Sequence, residues 1–205
     1  MNAPSAHPNE TAQRILDAAE QIIDEIGEAD LRVTEVAARS GVAVGLLYHY
    51  YKDRSDLVAA VRLHQYTRNT EADIAMMDEM LRAGATATAI NNVAVAVIAN
   101  LSDKERQRAR RQRLAILAAT EHNEELRLKV VARQNEISQR ITDLIKSYQA
   151  AGYVDPDVDP VALTLLVEAL PTGLALLEIN PALKPSADGW KDLADRLICS
   201  VLPKK

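Results

Sequence analysis

The sequence has few aromatic rings and few residues that break helices. Its 205 residues include no Phe, one Trp, seven Gly and eight Pro. No stretch shows sustained alternation of apolar and polar residues, which excludes a mostly β fold. Hydrophobic residues make up 48% of the chain, enough for a sizeable core, which excludes a disordered protein. We therefore predict an all-α protein.

Cysteine and long apolar runs are equally scarce. The single cysteine, Cys199, excludes an internal disulfide framework and favours a reducing cytosol. The first nine residues have neither a basic start nor an apolar run, so we expect no signal peptide. No uninterrupted apolar run reaches the length of a membrane span. We accordingly expect a cytoplasmic protein with no membrane partner.

Histidine is also scarce, and its spacing matches no catalytic or metal-binding pattern. His7, His49, His64 and His122 form no H-E-x-x-H motif, and the chain has no G-x-S-x-G motif or phosphate-binding loop. Cys199 lies in the apolar row of a predicted terminal helix without a nearby base. We expect that the protein is not an enzyme and uses no metal and no cofactor.

The net charge of −5 is distributed unevenly along the chain. Residues 9–38 carry two basic and eight acidic side chains, whereas residues 39–68 carry five basic and two acidic ones. Because the local charge matters more than the total for nucleic-acid binding, the second segment is a candidate for phosphate contacts. It also contains three of the six tyrosines: Tyr48, Tyr50 and Tyr51.

Apolar spacing and break signals predict three short helices near the N-terminus and longer ones after them. The short helices are expected over 10–26, over 33–40 and from Val44 to about Tyr51; the longer ones over 57–81, 86–101, 103–122, 123–151, 160–178 and 186–202. Two short helices joined by Gly41 indicate a helix-turn-helix. We predict a flexible tail over 1–9, a helix-turn-helix DNA-binding domain over 10–56, and a larger helical ligand-binding and dimerisation domain over 57–205.

The third predicted helix has two different sides. With 100° between successive residues, Leu47 and Tyr51 point one way, while Gly45, Tyr48 and His49 point the other. We interpret Tyr51 as a core ring and Tyr48 as an exposed ring that a partner covers. His49 fits a solvated surface residue as well as it fits a DNA contact.

The stretch VTEVAARSGVAVGLLYHYYKDRSDL, residues 33–57, resembles the TetR (tetracycline repressor) family. In that family a helix ending in A-G-V is followed by S-x-G-T-L-Y-x-x-F and a basic pair. The resemblance covers about residues 10–65. It implies a homodimeric transcriptional regulator, most often a repressor, which binds a near-palindromic operator in double-stranded DNA and releases it when a small-molecule effector binds.

The same resemblance implies particular DNA contacts. Phosphate contacts are expected from Tyr48 and from Lys52 or Arg54, and groove contacts from the residues at the start of the third helix. The pattern departs from the family at Ala43, Val44 and Leu46, where Ser, a polar residue and Thr are frequent. Since apolar side chains read only features such as thymine methyl groups, we expect His49, Thr34 and DNA shape to carry more of the site preference. The predicted DNA-binding residues are Thr34, Ala43, Val44, Gly45, Leu46, Tyr48, His49, Lys52 and Arg54.

The segment over residues 161–178 is apolar nearly all round and carries only two charged residues, Glu168 and Glu178. Such a helix needs cover on two sides, and the apolar stripe of the last helix offers one of them. The same pair of helices from a second copy would complete a four-helix seam. We therefore predict a homodimer whose interface includes Leu163, Leu166, Leu170, Leu174, Trp190 and Leu197.

Soft and neutral polar residues in the remaining helices are typical of small-molecule pockets, although the same residues also fit core filler and solvated positions. From them we predict an effector pocket lined by Met76, Met80, Asn92, Leu117 and Gln134. The identity of the effector is left open. An alternative function also stays open: the apolar Val44 and Leu46 are compatible with a helical ligand-binding or adaptor protein whose helix-turn-helix no longer reads DNA.

Overall fold

The computed structural model describes residues 8–101, 103–180, 182 and 185–203. Within these ranges the regular structure is helical and contains no strand, so the predicted all-α class is confirmed. Most of the predicted N-terminal tail, residues 1–7, lies outside the described residues.

The helices begin and end close to the predicted positions. The first three are α1 (Pro8–Ile26), α2 (Val33–Ser40) and α3 (Val44–Tyr50), followed by the long α4 (Arg54–Arg82). The later ones are α5 (Ala87–Ala99), α6 (Lys104–Ala119) with a 3₁₀ turn at Thr120–His122, α7 (Glu124–Ala150), α8 (Pro160–Leu174), the short α9 (Leu176–Ile179) and α10 (Ala187–Cys199).

Side-chain caps explain several of these starts. At α4 the backbone N–H of Asp56 donates to Asp53 Oδ1 over 2.8 Å, and the N–H of Lys52 donates to Asp56 Oδ2 over 3.1 Å. This box-like pair is the one that the spacing of the two aspartates predicts, with the second bond coming from Lys52 instead of the N-cap Asp53. Asp103 and Asp159 cap α6 and α8 in a similar way, because each carboxylate accepts two N–H groups of the first turn.

The helix predicted over 160–178 is divided in the structure, where a turn at Ala175 separates α8 from α9. Pro171 lies inside α8 and has no N–H to donate to the carbonyl of Val167. The hydroxyl of Thr172 donates to the carbonyl of Glu168 over 3.3 Å. These two changes loosen the last turns of the helix.

The chain divides into two compact units, one reaching to His64 and the other starting at Gln65. We call them the head and the body. The head extends eight residues beyond the predicted boundary at 56, since the first turns of α4 complete its core. That core consists of fully or almost fully buried side chains from α1 to α4, namely Ile15, Ala19, Ile22, Leu31, Val36, Ala37, Leu47, Leu57 and Val61.

The body is held together by apolar packing and by hydroxyl groups that reach backbone carbonyls. Ile74 of α4 clusters with Ile137, Ile141 and Ile145 of α7. The Tyr148 hydroxyl donates to the carbonyl of Met77 over 2.8 Å, which links α7 to α4. Elsewhere α8 packs on α7 and α10 packs on α5.

Tyr51 closes the head core and gives it a pH dependence that can be measured. Its ring is 8% exposed, and burial raises the pKa of its phenol to about 12. In the unfolded chain the phenol ionises near pH 10. The native state holds the proton more tightly, so this stabilisation is complete below about pH 10 and disappears as the pH rises through about 12.

We expect Tyr51→Phe to reduce the loss of stability in alkali, because the substituted ring has no proton to lose. Between about pH 8 and pH 11 the wild type should lose about 1 kcal/mol more unfolding free energy than the variant, measured by urea denaturation. Tyr48→Phe is the matched control and should behave as the wild type, since that ring is exposed. Equal losses in wild type and Tyr51→Phe would contradict the assignment.

Candidate nucleic-acid interface

Helix α3 presents one buried edge and one open side. Leu47 is fully buried, whereas Tyr48 is 50% exposed, Leu46 42% and Val44 37%. Gly45 and His49 are exposed as well. This division into a buried and an exposed side matches the helical wheel drawn from the sequence. It also agrees with the predicted positions of the two tyrosines, since the ring of Tyr51 lies in the core and the ring of Tyr48 is exposed.

The turn before α3 depends on small residues. Ala37 is buried in α2 within the same cluster as Leu47, and Gly41 ends α2 with φ at +69°, a conformation that residues with a side chain rarely adopt. The N–H of Val42 returns to the carbonyl of Ala37 over 3.0 Å. A small side chain at the crossing and a glycine at the turn let α3 lie against α2 and leave its outer side open.

The exposed residues of this region form what we call the recognition face. It contains eight of the nine predicted DNA-binding residues, all of which are exposed: Thr34, Ala43, Val44, Gly45, Leu46, Tyr48, His49 and Lys52. The face combines two aliphatic side chains, a phenol, an imidazole and an ammonium group. The ring of His49 meets the ring of Tyr50 edge to face, with centroids 5.6 Å apart, which restricts the imidazole.

Arg54, the ninth predicted residue, has a different position. Its guanidinium donates to the carbonyls of Leu31 over 3.0 Å and Ala29 over 3.2 Å, and to the carbonyl of Glu28. It therefore fastens the loop between α1 and α2. The ammonium group of Lys52, by contrast, has no partner in the described part of the chain.

Two other cations near the recognition face, Arg39 and Arg62, are already paired with carboxylates. The Arg39 guanidinium donates to the carboxylates of Glu25 and Glu35 at N–O distances of 2.7 and 2.8 Å, and these hydrogen bonds raise the pKa of Arg39. Arg62 pairs with Glu28. These contacts reduce the positive charge available to DNA and leave Lys52 as the cation of the recognition face.

Sequence reasoning missed Arg32. This exposed residue occupies the N-cap of α2, and its side chain makes no capping hydrogen bond there. The helix start therefore keeps first-turn N–H groups that no N-cap side chain satisfies, beside an exposed cationic side chain. The signal that identifies it is a basic residue directly before the first helix of a helix-turn-helix.

The predicted pocket residues of the body do not share one environment. Met76 is 39% exposed and Leu117 36% exposed, and Asn92 is exposed too, while Met80 is half-buried. Gln134 is the member of the set that takes part in a hydrogen-bonded cluster. We call this group the polar cluster; its members are Tyr66, Arg113, Gln134, Ser138 and Glu168.

The amide of Gln134 is at the centre of the polar cluster. Its oxygen accepts hydrogen bonds from the Tyr66 hydroxyl over 2.7 Å and from Arg113 Nη2 over 3.0 Å. Its nitrogen donates to Glu168 Oε1 over 2.7 Å and to Ser138 Oγ over 3.2 Å. The Arg113 guanidinium lies 4.4 Å from the centre of the Tyr66 ring. Burial raises the pKa of Tyr66, an effect that Arg113 opposes.

The predicted dimer residues occupy more than one side of their helices. Leu166 and Leu197 are 53% and 42% exposed, and Leu170, Leu174 and Trp190 are half-buried. Leu163 packs instead against the isoleucine cluster of α4 and α7. A helix that is apolar all round gives no periodicity from which to choose its inner side. The exposed apolar side chains that the prediction did not include are Val161, Leu165, Val167, Leu176 and Leu193.

The helix-turn-helix has known counterparts. Residues 15–61 match the family of bacterial regulatory proteins known as the tetR family. The match identifies this segment as a TetR-family helix-turn-helix. The TetR-family head thus coincides with α1 to α3 and the first turns of α4.

One curated relative of the chain is the fatty acid metabolism regulator protein of Bacillus subtilis, 26% identical over 140 residues. The alignment covers 66% of this chain and 60% of that relative's length. Among solved structures, a Rhodococcus sp. protein classed with the TetR-family transcriptional regulators has a TM-score of 0.65 at 24% identity, with 95% of this chain and 99% of that chain covered.

A second solved structure is the transcriptional regulator FadR of Bacillus subtilis in complex with stearoyl-CoA. It has a TM-score of 0.53 at 20% identity, and 92% of this chain and 97% of that chain are covered. At these identities the two structures establish the shared fold. In the described ranges of this chain, every helix is too short or too polar for a membrane span.

We expect Arg54→Gln to destabilise the head by about 1–3 kcal/mol, because carbonyls of the α1–α2 loop lose a charged donor. Lys52→Gln removes the same charge at a position without a protein partner and should change stability by less than about 0.5 kcal/mol. Chemical denaturation of the two variants measures the difference. Equal stabilities would show that the Arg54 contacts do not hold the loop.

Proposed function

We propose that this protein is a homodimeric, sequence-specific DNA-binding transcriptional regulator, acting as a repressor that a small-molecule effector releases from its operator. The observation that carries the proposal is the exposed recognition face on a helix whose opposite edge is buried through Leu47. A helix of this kind fits the major groove of B-form DNA.

The composition of the recognition face supports a division of labour among its residues. The Tyr48 hydroxyl and the Lys52 ammonium are suited to phosphate oxygens, as is Arg32 at the start of α2. Val44 and Leu46 suit thymine methyl groups, and Gly45 allows close approach of the helix backbone. Because two prominent groove-facing side chains cannot hydrogen-bond to base edges, DNA shape should contribute substantially to site preference.

The exposed apolar side chains of α8 and α10 support dimerisation. Val161 and Leu165 are 64% and 67% exposed and stand four residues apart, so they share one side of α8. Leu193 and Leu197 have the same spacing on α10. A twofold axis that buries these leucines against their copies gives a dimer with two recognition faces, which matches a near-palindromic operator.

Effector binding is supported by buried polar groups in the body, since residues with unmet hydrogen-bonding capacity are typical of ligand sites. The stearoyl-CoA complex of the Bacillus subtilis FadR shows that a protein with this fold holds a small molecule. Release of DNA then requires that the effector bind the DNA-free state more tightly than the DNA-bound one.

The apolar Val44 and Leu46 also favour a second candidate function, a ligand-binding or adaptor protein that no longer reads DNA. Selection from random duplexes with purified protein separates the two. A regulator should enrich a near-palindromic site and bind it with a steep salt dependence, whereas an adaptor should enrich nothing.

We expect Tyr48→Phe to weaken binding to the selected duplex by about 0.5–3 kcal/mol, the range for a hydrogen bond to a charged group. Fluorescence anisotropy at fixed salt measures the change. Tyr50→Phe is the matched control, because this neighbouring ring is half-buried. The affinity of this variant for the duplex should remain that of the wild type. Unchanged affinity of Tyr48→Phe would exclude the phosphate contact.

We expect Leu165→Lys to shift the protein towards monomers, because the new ammonium group would be buried at the twofold contact without a partner. Sedimentation equilibrium should show that the dissociation constant of the dimer rises tenfold or more. Ile26→Lys, at a 48% exposed apolar position of the head, is the control and should leave the oligomeric state unchanged. A dimer of wild-type strength in Leu165→Lys would remove α8 from the interface.

A further inference from the structure

The polar cluster of the body holds two opposite charges apart. Arg113 on α6 and Glu168 on α8 form no ion pair with each other or with another charged residue in the described part of the chain. The amide of Gln134 lies between them, with its oxygen on Arg113 and its nitrogen on Glu168, at 3.0 and 2.7 Å. The cluster as a whole is formally neutral, but each charge is met by a neutral amide.

Arg113 has hydrogen-bonding capacity that the protein does not use. Its Nε is buried and has no acceptor within the described residues. One face of the guanidinium stacks over the Tyr66 ring, so the group is held in place. A buried donor without a partner is costly, and in native proteins it calls for an explanation such as a ligand.

Glu168 has unused capacity of the opposite kind. Gln134 Nε2 and Ser138 Oγ both donate to its Oε1, over 2.7 and 2.8 Å, which leaves Oε2 as an acceptor. Apart from Glu178, the segment over 161–178 carries no other charged residue. The carboxylate is half-buried, so a polar partner at Oε2 would add a contact that the protein does not supply.

We propose that the polar cluster is the effector site and that it selects a net-neutral head group carrying one acceptor and one donor, as in a zwitterionic amino acid or a primary amide. This inference rests on the proposed function, in which an effector binds the body. The acceptor of the head group meets Arg113 and its donor meets Glu168, so the ligand makes the same two contacts as the Gln134 amide. A head group with a single charge would pair with either Arg113 or Glu168 and would leave the charge of the other residue uncompensated.

Four six-carbon probes test the proposal: norleucine, hexanamide, hexanoate and hexylammonium. They share an alkyl tail and differ in the charge of the head group. Calorimetric titration into the wild-type protein without DNA should give millimolar binding of norleucine, hexanamide or both, consistent with ligands of this size. Hexanoate and hexylammonium should bind about tenfold more weakly, as expected for loss of one charge-assisted hydrogen bond.

Two substitutions should invert this preference in opposite directions. Glu168→Gln leaves Arg113 unopposed, so the affinity for hexanoate relative to norleucine should rise about tenfold. Arg113→Gln leaves Glu168 unopposed and should raise the relative affinity for hexylammonium by a similar factor. Because each ratio is measured within one variant, a uniform loss of affinity through poorer folding does not produce it. Arg127→Gln and Glu136→Gln, at exposed positions of α7, are the charge-matched controls and should keep the wild-type ranking.

Equal affinities for the four probes, no binding of any of them, or variants that keep the wild-type ranking would overturn the proposal. Release of the selected duplex is measured separately with the same probes. Inverted preferences without release of DNA would support the site and contradict effector-controlled repression. Release of DNA by a probe whose ranking does not respond to the two substitutions would support repression and refute this site.

Discussion

The burial of Leu47 determines which side of α3 is open to a partner. A helix of seven residues has too few backbone hydrogen bonds to keep a fixed position by itself. Packing of Leu47 into the cluster that contains Ala37 and Val36 supplies that position. Once this edge is inside, the 100° step of the helix places Tyr48 and Val44 outside. The chemical character of the recognition face is therefore a consequence of one apolar contact and the small residues that allow it.

The charged side chains near that contact are of two kinds: those that other groups of the protein hold, and those that stay available to a partner. Arg39, Arg54 and Arg62 are held by carboxylates or loop carbonyls, so they stabilise the head that presents α3. Lys52 stands beside them without such a partner. An overall negative charge is thus compatible with DNA binding, because the carboxylates of Glu25, Glu28 and Glu35 neutralise arginines and not Lys52.

The body differs from the head in that its apolar helices also carry polar groups. Its isoleucine cluster provides non-specific stabilisation, whereas the polar cluster imposes exact partners on Arg113 and Glu168 through the Gln134 amide. Buried polar networks of this kind contribute more to selectivity than to stability. The exposed leucines of α8 and α10 have the opposite character, since they are stabilised only when another apolar surface covers them.

The sequence by itself determined the elements that depend on local rules: the helical class, the capping box at Asp53 and Asp56, the glycine turn at Gly41, and the separation of Tyr48 from Tyr51. Each of these follows from backbone conformation or helical periodicity over a few residues. The tertiary structure alone decided the roles of Arg54, Leu163 and Arg113. Arg54 reaches carbonyls more than twenty residues earlier, Leu163 lies on a helix without a polar side, and Arg113 meets residues from two other helices. Long side chains and uniformly apolar helices take partners that are distant in sequence, so the local pattern does not determine which contacts they make.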